Sequence, residues 1–431
     1  MLIAINYWPE LTGIGKYTGE MAQWLVENGW DVRVITAPPY YPAWQISKEY
    51  SGWRYHSENM HGVSITRCPL WVPSRVNCLK RILHLMSFGL SSLPVILWQA
   101  WRWRPDIVFT VEPPLFCAPA ALLGARLGKA RSWLHVQDFE VDAAFGLGML
   151  RSRRLQKWIL GAERFLLRRF DRVSAISERM VDRLKQKKVE NSRRMVFQNW
   201  VELDRIRPLH ATSPLRAEWG VEDNEIVILY SGNLGEKQGL EILVDAARKL
   251  QHRSELVFLL CGDGAARSRI EQLAKGLANL RFKPLQPADR LNDLLNLADI
   301  HVLPQRADAA DLVLPSKLTN MLASGRPVVA TASAGTQVAD LVRDCGIVVA
   351  PADSTALADA LSSLAQSKNL RRALGLKARA LAEQLWDKEY LLSEAFRMPA
   401  EMGTEYVDVP IGEVNTVSRL RLFSRGCKEK I

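Results

Sequence analysis

Short apolar runs recur along the chain, separated by longer stretches in which apolar positions return every three or four residues. In the first half the runs at residues 2–6, 31–36, 107–111, 133–136 and 172–175 read as strands, with a helix over 16–28 that Gly29 stops. In the second half the runs at 226–230, 256–260, 300–303, 328–330 and 347–349 repeat the rhythm, with helices continuing to about residue 397. Apolar strands alternating with helices imply doubly wound parallel sheets, an α/β fold. The expected organisation is a Rossmann-like domain over residues 1–210, a second over 211–398, a link near 203–214, and a cleft between the two where a nucleotide binds. From residue 399 the periodicity is lost, so 399–431 reads as a loosely ordered tail.

Two stretches depart from this rhythm. Residues 82–101 contain no Lys, Arg, Asp or Glu, and Lys80, Arg81, Arg102 and Arg104 flank them. The length just reaches that of a membrane span, but Gly89, Ser91, Ser92, Pro94 and Gln99 interrupt it and a soluble strand pattern resumes at Asp106. Docking at a membrane interface suits Trp98, Trp101 and Trp103 beside arginines; burial in the core is the competing account. The second stretch, 151–194, holds 15 basic and 5 acidic residues, a surplus of 10 that accounts for nearly all of the chain's net charge of +11. It includes Arg151, Arg153 and Arg154, and its Leu155, Trp158, Ile159, Ala162, Phe165 and Leu166 recur at helical spacing. A basic amphipathic helix fits an anionic surface, membrane or nucleic acid; a solvated basic face is the plain alternative.

The chain has 431 residues, 48% hydrophobic and 24% charged, enough for two cored domains. Its six cysteines are scattered without a CxxC pair, as expected of reduced cysteines in a cytoplasmic protein. The seven histidines do not cluster with cysteines or carboxylates at ligand spacing, so no protein-bound metal is expected. The opening residues form a strand and lack the charged start and long apolar core of a signal peptide.

Three loops have the composition of an anion site. After the first strand, Gly13 and Gly15 precede Lys16; after the strand at 226–230 come Gly232, Asn233, Gly235, Lys237 and Gly239; before the strand at 328–330, Pro315 opens a short helix carrying Lys317 and ended by Gly325. Each places backbone N–H groups and a helix N-terminus where a diphosphate can sit, with Lys237 and Lys317 to neutralise it. Gly262, Asp263 and Gly264 shape a base or ribose pocket, or simply a turn. At the end of the strand at 133–136 stand His135, Asp138, Glu140 and Asp142, any of which could orient a substrate hydroxyl or take its proton; helix-start carboxylates and a core histidine are the bland accounts. Asp308 and Asp311 could bind sugar hydroxyls or merely solvate a loop.

Taken in order, Pro9–Gly15, Arg104–Val108, Ser177-Glu178, Asn199–Glu202, Gly232–Gly239, Gly262–Gly264, Ala298–Ile300 and Ala323–Val328 resemble glycosyltransferase family 4, the retaining enzymes of GT-B fold, to about residue 395. Residues 13–20, 37–42 and 314–320 are similar to its exopolysaccharide branch. The resemblance implies an N-terminal acceptor domain, a C-terminal nucleotide-sugar domain, and transfer of a hexose, fucose from GDP-fucose being a candidate, to a polyprenyl-diphosphate-linked intermediate of the colanic acid type. It implies donor contacts from Gly13, Gly15, Gly232, Asn233, Lys237, Gly262, Asp311, Lys317 and Asn320, and catalytic roles for Asp138, His135, Lys237 and Lys317. Asn233 stands where family members carry an arginine, and Asn320 where they carry the second glutamate of an E-x7-E motif whose first falls near Asp311 or Leu312. Arg151, Arg153, Arg154, Trp98 and Trp101 would face acceptor and membrane, placing the protein at the inner face of the cytoplasmic membrane with no nucleic-acid partner. The alternatives are a nucleotide-sugar epimerase of the same fold, a catalytically inactive nucleotide-sugar binder, and a basic nucleic-acid protein.

Overall fold

The computed structural model describes residues 1–10, 13–74, 78–142, 153–235, 238–306 and 315–397. Its strands are β1 (Leu2–Ile3), β2 (Arg33–Thr36), β3 (His56–Met60), β4 (Val63–Arg67), β5 (Ile107–Glu112), β6 (Arg131–Val136), β7 (Arg172–Ala175) and β8 (Arg194–Val196), followed by β9 (Ile226–Ser231), β10 (Leu256–Cys261), β11 (Leu280–Lys283), β12 (Ile300–Leu303), β13 (Val328–Thr331) and β14 (Gly346–Val349). The helices of the first half are α1 (Gly13–Glu27), α2 (Cys78–Trp103), α3 (Ala118–Gly128), α4 (Arg153–Leu167) and α5 (Glu178–Gln186). Those of the second half are α6 (Pro214–Glu218), α7 (Glu241–Lys249), α8 (Arg267–Leu273), α9 (Leu291–Leu297), α10 (Ser316–Ala323), α11 (Gln337–Val342), α12 (Ser354–Gln366), α13 (Lys368–Trp386) and α14 (Lys388–Phe396).

Among the described residues, the strands form two sheets, ordered β3-β4-β2-β1-β5-β6-β7-β8 and β11-β10-β9-β12-β13-β14. All pairings are parallel except β3 with β4. In each sheet the strand order reverses beside a central strand, at β1/β5 and at β9/β12. At such switch points the helices diverge to opposite faces and leave a crevice at the carboxyl edge. The expected fold, two Rossmann-like doubly wound sheets, is the observed one. Residues 1–392 hold both sheets in one compact unit.

The central strands are buried along nearly their whole length, β10 at every position, as parallel strands covered by helices on both faces must be. The strands that sequence pattern missed, β3, β4, β8 and β11, lie at sheet edges or, for β4, beside one, and have short or weak apolar signals; β3 (HSENM) has no fully buried residue. The β3–β4 hairpin turns on His61 and Gly62, both at positive φ, the mark of a two-residue turn matched to strand twist. β4 buries Arg67 where alternation calls for an apolar residue. Its guanidinium donates to Glu58 Oε1 at 2.5 Å, Ala37 O at 3.0 Å and Trp8 O at 2.7 Å, and stacks on Tyr50, so the buried charge is fully met.

The uncharged stretch 82–101 is the body of α2. One face, with Leu85, Phe88, Ile96 and Ala100, packs into the core of the first sheet, while Leu79, Leu83, Leu90, Trp98 and Trp101 face outward. In α4 part of the apolar stripe faces outward: Trp158 and Phe165 are exposed, and the buried side carries Glu163 and Leu167. Glu163 can be buried because the equally buried Lys187 donates to it at 2.5 Å and to Asp142 at 3.1 Å.

Candidate functional site

The carboxyl edges of the two sheets meet over a cleft of about 850 Å³. From the first half it takes Asn6, Trp8, Lys16, Tyr40, Arg81 and Asp138; from the second, Ser316 and Asn320 of α10, Leu291 and Lys388. Every lining segment of the first sheet follows a strand end or opens a helix, the geometry expected at a topological switch point.

The first loop is organised by Glu10, which the sequence did not single out. Its buried carboxylate accepts from the amides of Tyr40 and Tyr41 at 2.8 Å each and from Asn6 Nδ2 at 2.8 Å. Burial pushes its carboxyl above the usual range against the pull of those bonds. Gly15 packs so closely on Glu10 that a Cβ there would stand 2.9 Å from its carbonyl oxygen, and Gly13 has φ +58°. Both predicted glycines are therefore required, one for space and one for conformation, and they hold the start of α1 at the cleft. One turn on, Lys16 pairs with Glu20 at 3.6 Å, and Glu20 accepts from Trp200 Nε1 at 2.6 Å.

The floor corrects one expectation. His135 does not line the cleft; it is buried among Phe109 and Phe197. Nδ1 faces Ser174 Oγ at 2.9 Å and Nε2 faces the Gln137 amide at 3.0 Å. Because Nε2 accepts from that NH2, Nδ1 carries the proton, and both ring nitrogens are used. Burial lowers its pKa to about 3, so it stays neutral and cannot act as the proton acceptor expected of it. It positions Gln137, whose amide exchanges reciprocal 2.9 Å bonds with Asn199; both amides reach the cleft. Asp138 does line the cleft, as predicted. Asp142 is structural, held by Arg183 and Lys187, and Glu140 accepts from the amide of Leu115. Glu112, at the end of β5, is buried with neither oxygen bonded; burial raises its pKa well above the usual range, which disfavours its charged form.

In the second half, Lys317 lies beneath the loop after β9. Its Nζ donates to Tyr230 Oη at 2.7 Å and sits 4.5 Å from that ring's centroid, while Tyr230 donates to Asn233 O at 2.6 Å. Burial lowers the ammonium pKa to about 8. A Cβ at Gly232 would stand 2.6 Å from Nζ, so the glycine leaves the lysine its room. The expected amide cradle needs correcting here. The N–H of Gly232 is taken by Cys261 O at 2.9 Å and that of Gly262 by Lys283 O at 3.1 Å. The two glycines act through their missing side chains: a Cβ on Gly262 would lie 1.9 Å from Gly232 O. Asn320 and Ser316 reach the cleft from α10. Pro315 precedes that helix as its N-cap instead of opening it, and Gly325 follows it at φ +69°.

Lys237, Asp308, Asp311 and Arg151 lie outside the described residues, and of Arg153 only the backbone is described. Trp98, Trp101 and Arg154 are exposed and away from the cleft. An aromatic wall of Trp8, Tyr40, Tyr41 and Trp44, with Arg81 and His84 from α2, was not anticipated, because these residues come from three separated segments.

Two doubly wound sheets meeting over such a cleft, with the helix starts of α1 and α10 at its rim, have the arrangement of the GT-B fold. Residues 12–200 match the glycosyl transferase 4-like domain and residues 225–367 the glycosyl transferases group 1 domain. The chain is 43% identical to the colanic acid biosynthesis glycosyl transferase WcaI of Escherichia coli (strain K12), over 91% of its own length and 98% of that protein's. It belongs to the family 4, group 1 glycosyltransferases. Among solved structures it shares its fold with sucrose-phosphate synthase of Thermosynechococcus elongatus (TM-score 0.69, 19% identity, 92% and 96% of the two chains covered). Anabaena HepE in complex with UDP-glucose is a second such match (TM-score 0.64, 16% identity, 92% and 99% covered).

Proposed function

We propose that the protein transfers a hexose, with retention, from a nucleotide-diphosphate sugar to a polyprenyl-diphosphate-linked exopolysaccharide intermediate of the colanic acid type, acting peripherally at the inner face of the cytoplasmic membrane. GDP-fucose is the candidate donor. The observation that carries this is Lys317, held under the Gly232–Asn233 loop at the start of α10, beside a cleft open to both sheets. Burial lowers the pKa of this lysine, whose charge is met only by Tyr230, and a departing diphosphate would supply the opposite charge. The N–H groups at the start of α10 add to the same field. Lys237 of the adjacent loop would add a second cation, and no protein-bound metal is then needed to stabilise the leaving group.

With retention, the acceptor hydroxyl approaches from the leaving-group side and the diphosphate oxygen takes its proton. No side-chain base is required, in keeping with a neutral, buried His135. Asp138 and the Gln137–Asn199 amide pair line the cleft and would hold sugar hydroxyls. The likeness to WcaI supports the exopolysaccharide assignment.

The test is incubation of the purified chain with GDP-fucose, GDP-mannose and UDP-glucose in turn, each with a polyprenyl-diphosphate-linked glycan, followed by mass spectrometry of the lipid product. The anomeric coupling constant of the product reports the stereochemistry. Lipid-linked product from one donor with unchanged anomeric configuration is expected. A rearranged nucleotide sugar without acceptor would establish an epimerase, and nucleotide binding without turnover of any donor would establish an inactive binder.

A further inference from the structure

We propose that the outward face shared by α2 and α3 is a docking surface for a bilayer containing anionic lipids. This names the surface behind the membrane location above and rests on that reading only for the identity of the acceptor.

The face is a continuous apolar stripe. Along α2, Leu79, Leu83, Leu90, Pro94, Trp98 and Trp101 are exposed at three- to four-residue and seven-residue steps, so they share one side of the helix. Leu90 is 68% exposed and Trp101 60% exposed. At 1.5 Å per residue the stripe runs about 33 Å. The opposite side of α2 is packed into the core, so the helix lies along the protein. α3 packs beside it through Gly124, whose Cα abuts Ile96, and Gly128, which abuts the carbonyl of Ala100. That contact, with Gly89 of α2 against Phe116 just before α3, brings Phe116, Leu123 and Leu127, all exposed, beside α2. An apolar surface of this extent is far beyond the scattered exposure of an ordinary surface.

Charge identifies the occupant. Neither α2 nor α3 contains Asp or Glu, while Lys80 and Arg81 stand at one end of the stripe and Arg102, Arg104, Arg126 and Lys129 toward the other. An apolar belt with tryptophans and a mostly cationic rim, in which Asp31, bonded to Trp103, and Asp106 are outnumbered by the six bases, complements headgroups and acyl chains together. A protein partner would require no such one-sided charge. Crossovers β4→β5, β5→β6 and β6→β7 all run the same way along the sheet, so right-handed connections put α2, α3 and α4 on one side of it. α4 adds Trp158, 79% exposed, with Arg154, Lys157, Arg164 and Arg168. The first turns of α2 also line the cleft through Arg81 and His84. A lipid-linked substrate lying along the stripe would therefore bring its diphosphate to the cleft mouth at Arg81.

The full chain is sedimented with vesicles of phosphatidylcholine alone and with added phosphatidylglycerol, in low and high salt. Binding at least tenfold stronger to the anionic vesicles, weakened by salt, is expected. Leu90→Glu with Trp98→Glu should lower that binding at least tenfold, whereas Leu376→Glu, an equally exposed leucine of α13, should not. Nucleotide binding, measured on the same samples, should be unchanged in both and shows that each is folded. Should the double variant not fold, brominated lipids provide the second measurement: they should quench wild-type tryptophan fluorescence, and Trp98→Phe with Trp101→Phe should remove most of the quenching. Vesicle binding indifferent to these substitutions overturns the proposal. So does a wild-type dimer that the double variant splits while still binding vesicles. Vesicle binding that follows expectation while no lipid-linked glycan is glycosylated supports the surface and refutes the acceptor instead.

Discussion

Replacing Lys317 by methionine should make the protein more stable and a poorer binder of nucleoside diphosphates at once. The lysine's pKa falls from 10.5 to about 8 because burial disfavours its charge, with only Tyr230 Oη and the Tyr230 ring as compensation. A shift of that size corresponds to about 3 kcal/mol at full burial, and to about 1–3 kcal/mol once partial exposure is allowed for. Methionine keeps the apolar stem against Gly232 and removes the charge. The melting temperature should rise by roughly 2–4 °C per kcal/mol recovered. The pH dependence follows from the direction of the shift. Below pH 8 the lysine is charged both folded and unfolded, so the penalty is full; between about 8 and 10.5 only the unfolded chain holds the proton, and the penalty fades. The stability gap between variant and wild type should thus be constant below pH 8 and close by about 10.5. Binding moves oppositely. Loss of a charge-assisted bond to a phosphate oxygen costs about 1.5–3 kcal/mol, or roughly 10- to 150-fold in affinity. Wild-type affinity should also decline as pH rises through 8, and the variant's should be flat. Differential scanning calorimetry and isothermal titration with GDP and UDP read both quantities. A variant that is less stable at pH 7 and binds every nucleotide as wild type does would refute this account of Lys317.

Three further outcomes are expected. Gly262→Ala should destabilise the fold by about 3 kcal/mol or more in a denaturant titration, because its Cβ would lie 1.9 Å from Gly232 O at φ +148°; a change below about 1 kcal/mol would show that the two loops can part. Glu112→Gln should raise the melting temperature at pH 7, with the advantage shrinking as pH falls toward the range where the unfolded glutamate is itself protonated; the raised folded pKa means stability is lost as pH climbs, and a constant or inverted difference would show that Glu112 is ionised and paired. The pH–rate profile should show no limb from His135 between pH 5 and 8, since burial holds its pKa near 3, and His135→Asn should lower turnover by misplacing Gln137 without moving the profile; a limb near 6.5 that the substitution removes would restore His135 as a proton acceptor.

The strand-and-helix alternation already determined two doubly wound sheets, because central parallel strands are apolar along nearly their whole length and that pattern survives without any tertiary information. The need for glycine at positions 13, 15 and 232 was equally plain in one dimension, since a glycine-rich turn between strand and helix has few other uses. What each glycine does was not. Gly232 and Gly262 make room for Lys317 and for each other, a relation between loops 30 residues apart that only packing creates. His135 and Asp138 look alike in sequence as polar residues at a strand end. Register decides between them, because alternate side chains on β6 point to opposite faces, and His135 falls among Phe109 and Phe197 while Asp138 falls past the strand at the cleft. Glu10 gave no local signal, as its role is to hold the amides of Tyr40 and Tyr41, 30 residues on. The stretch 82–101 shows the division most plainly: the sequence shows that it carries no charge, and only the packing of α2 on the first sheet settled which half of its apolar surface is core and which half is left for something outside the protein.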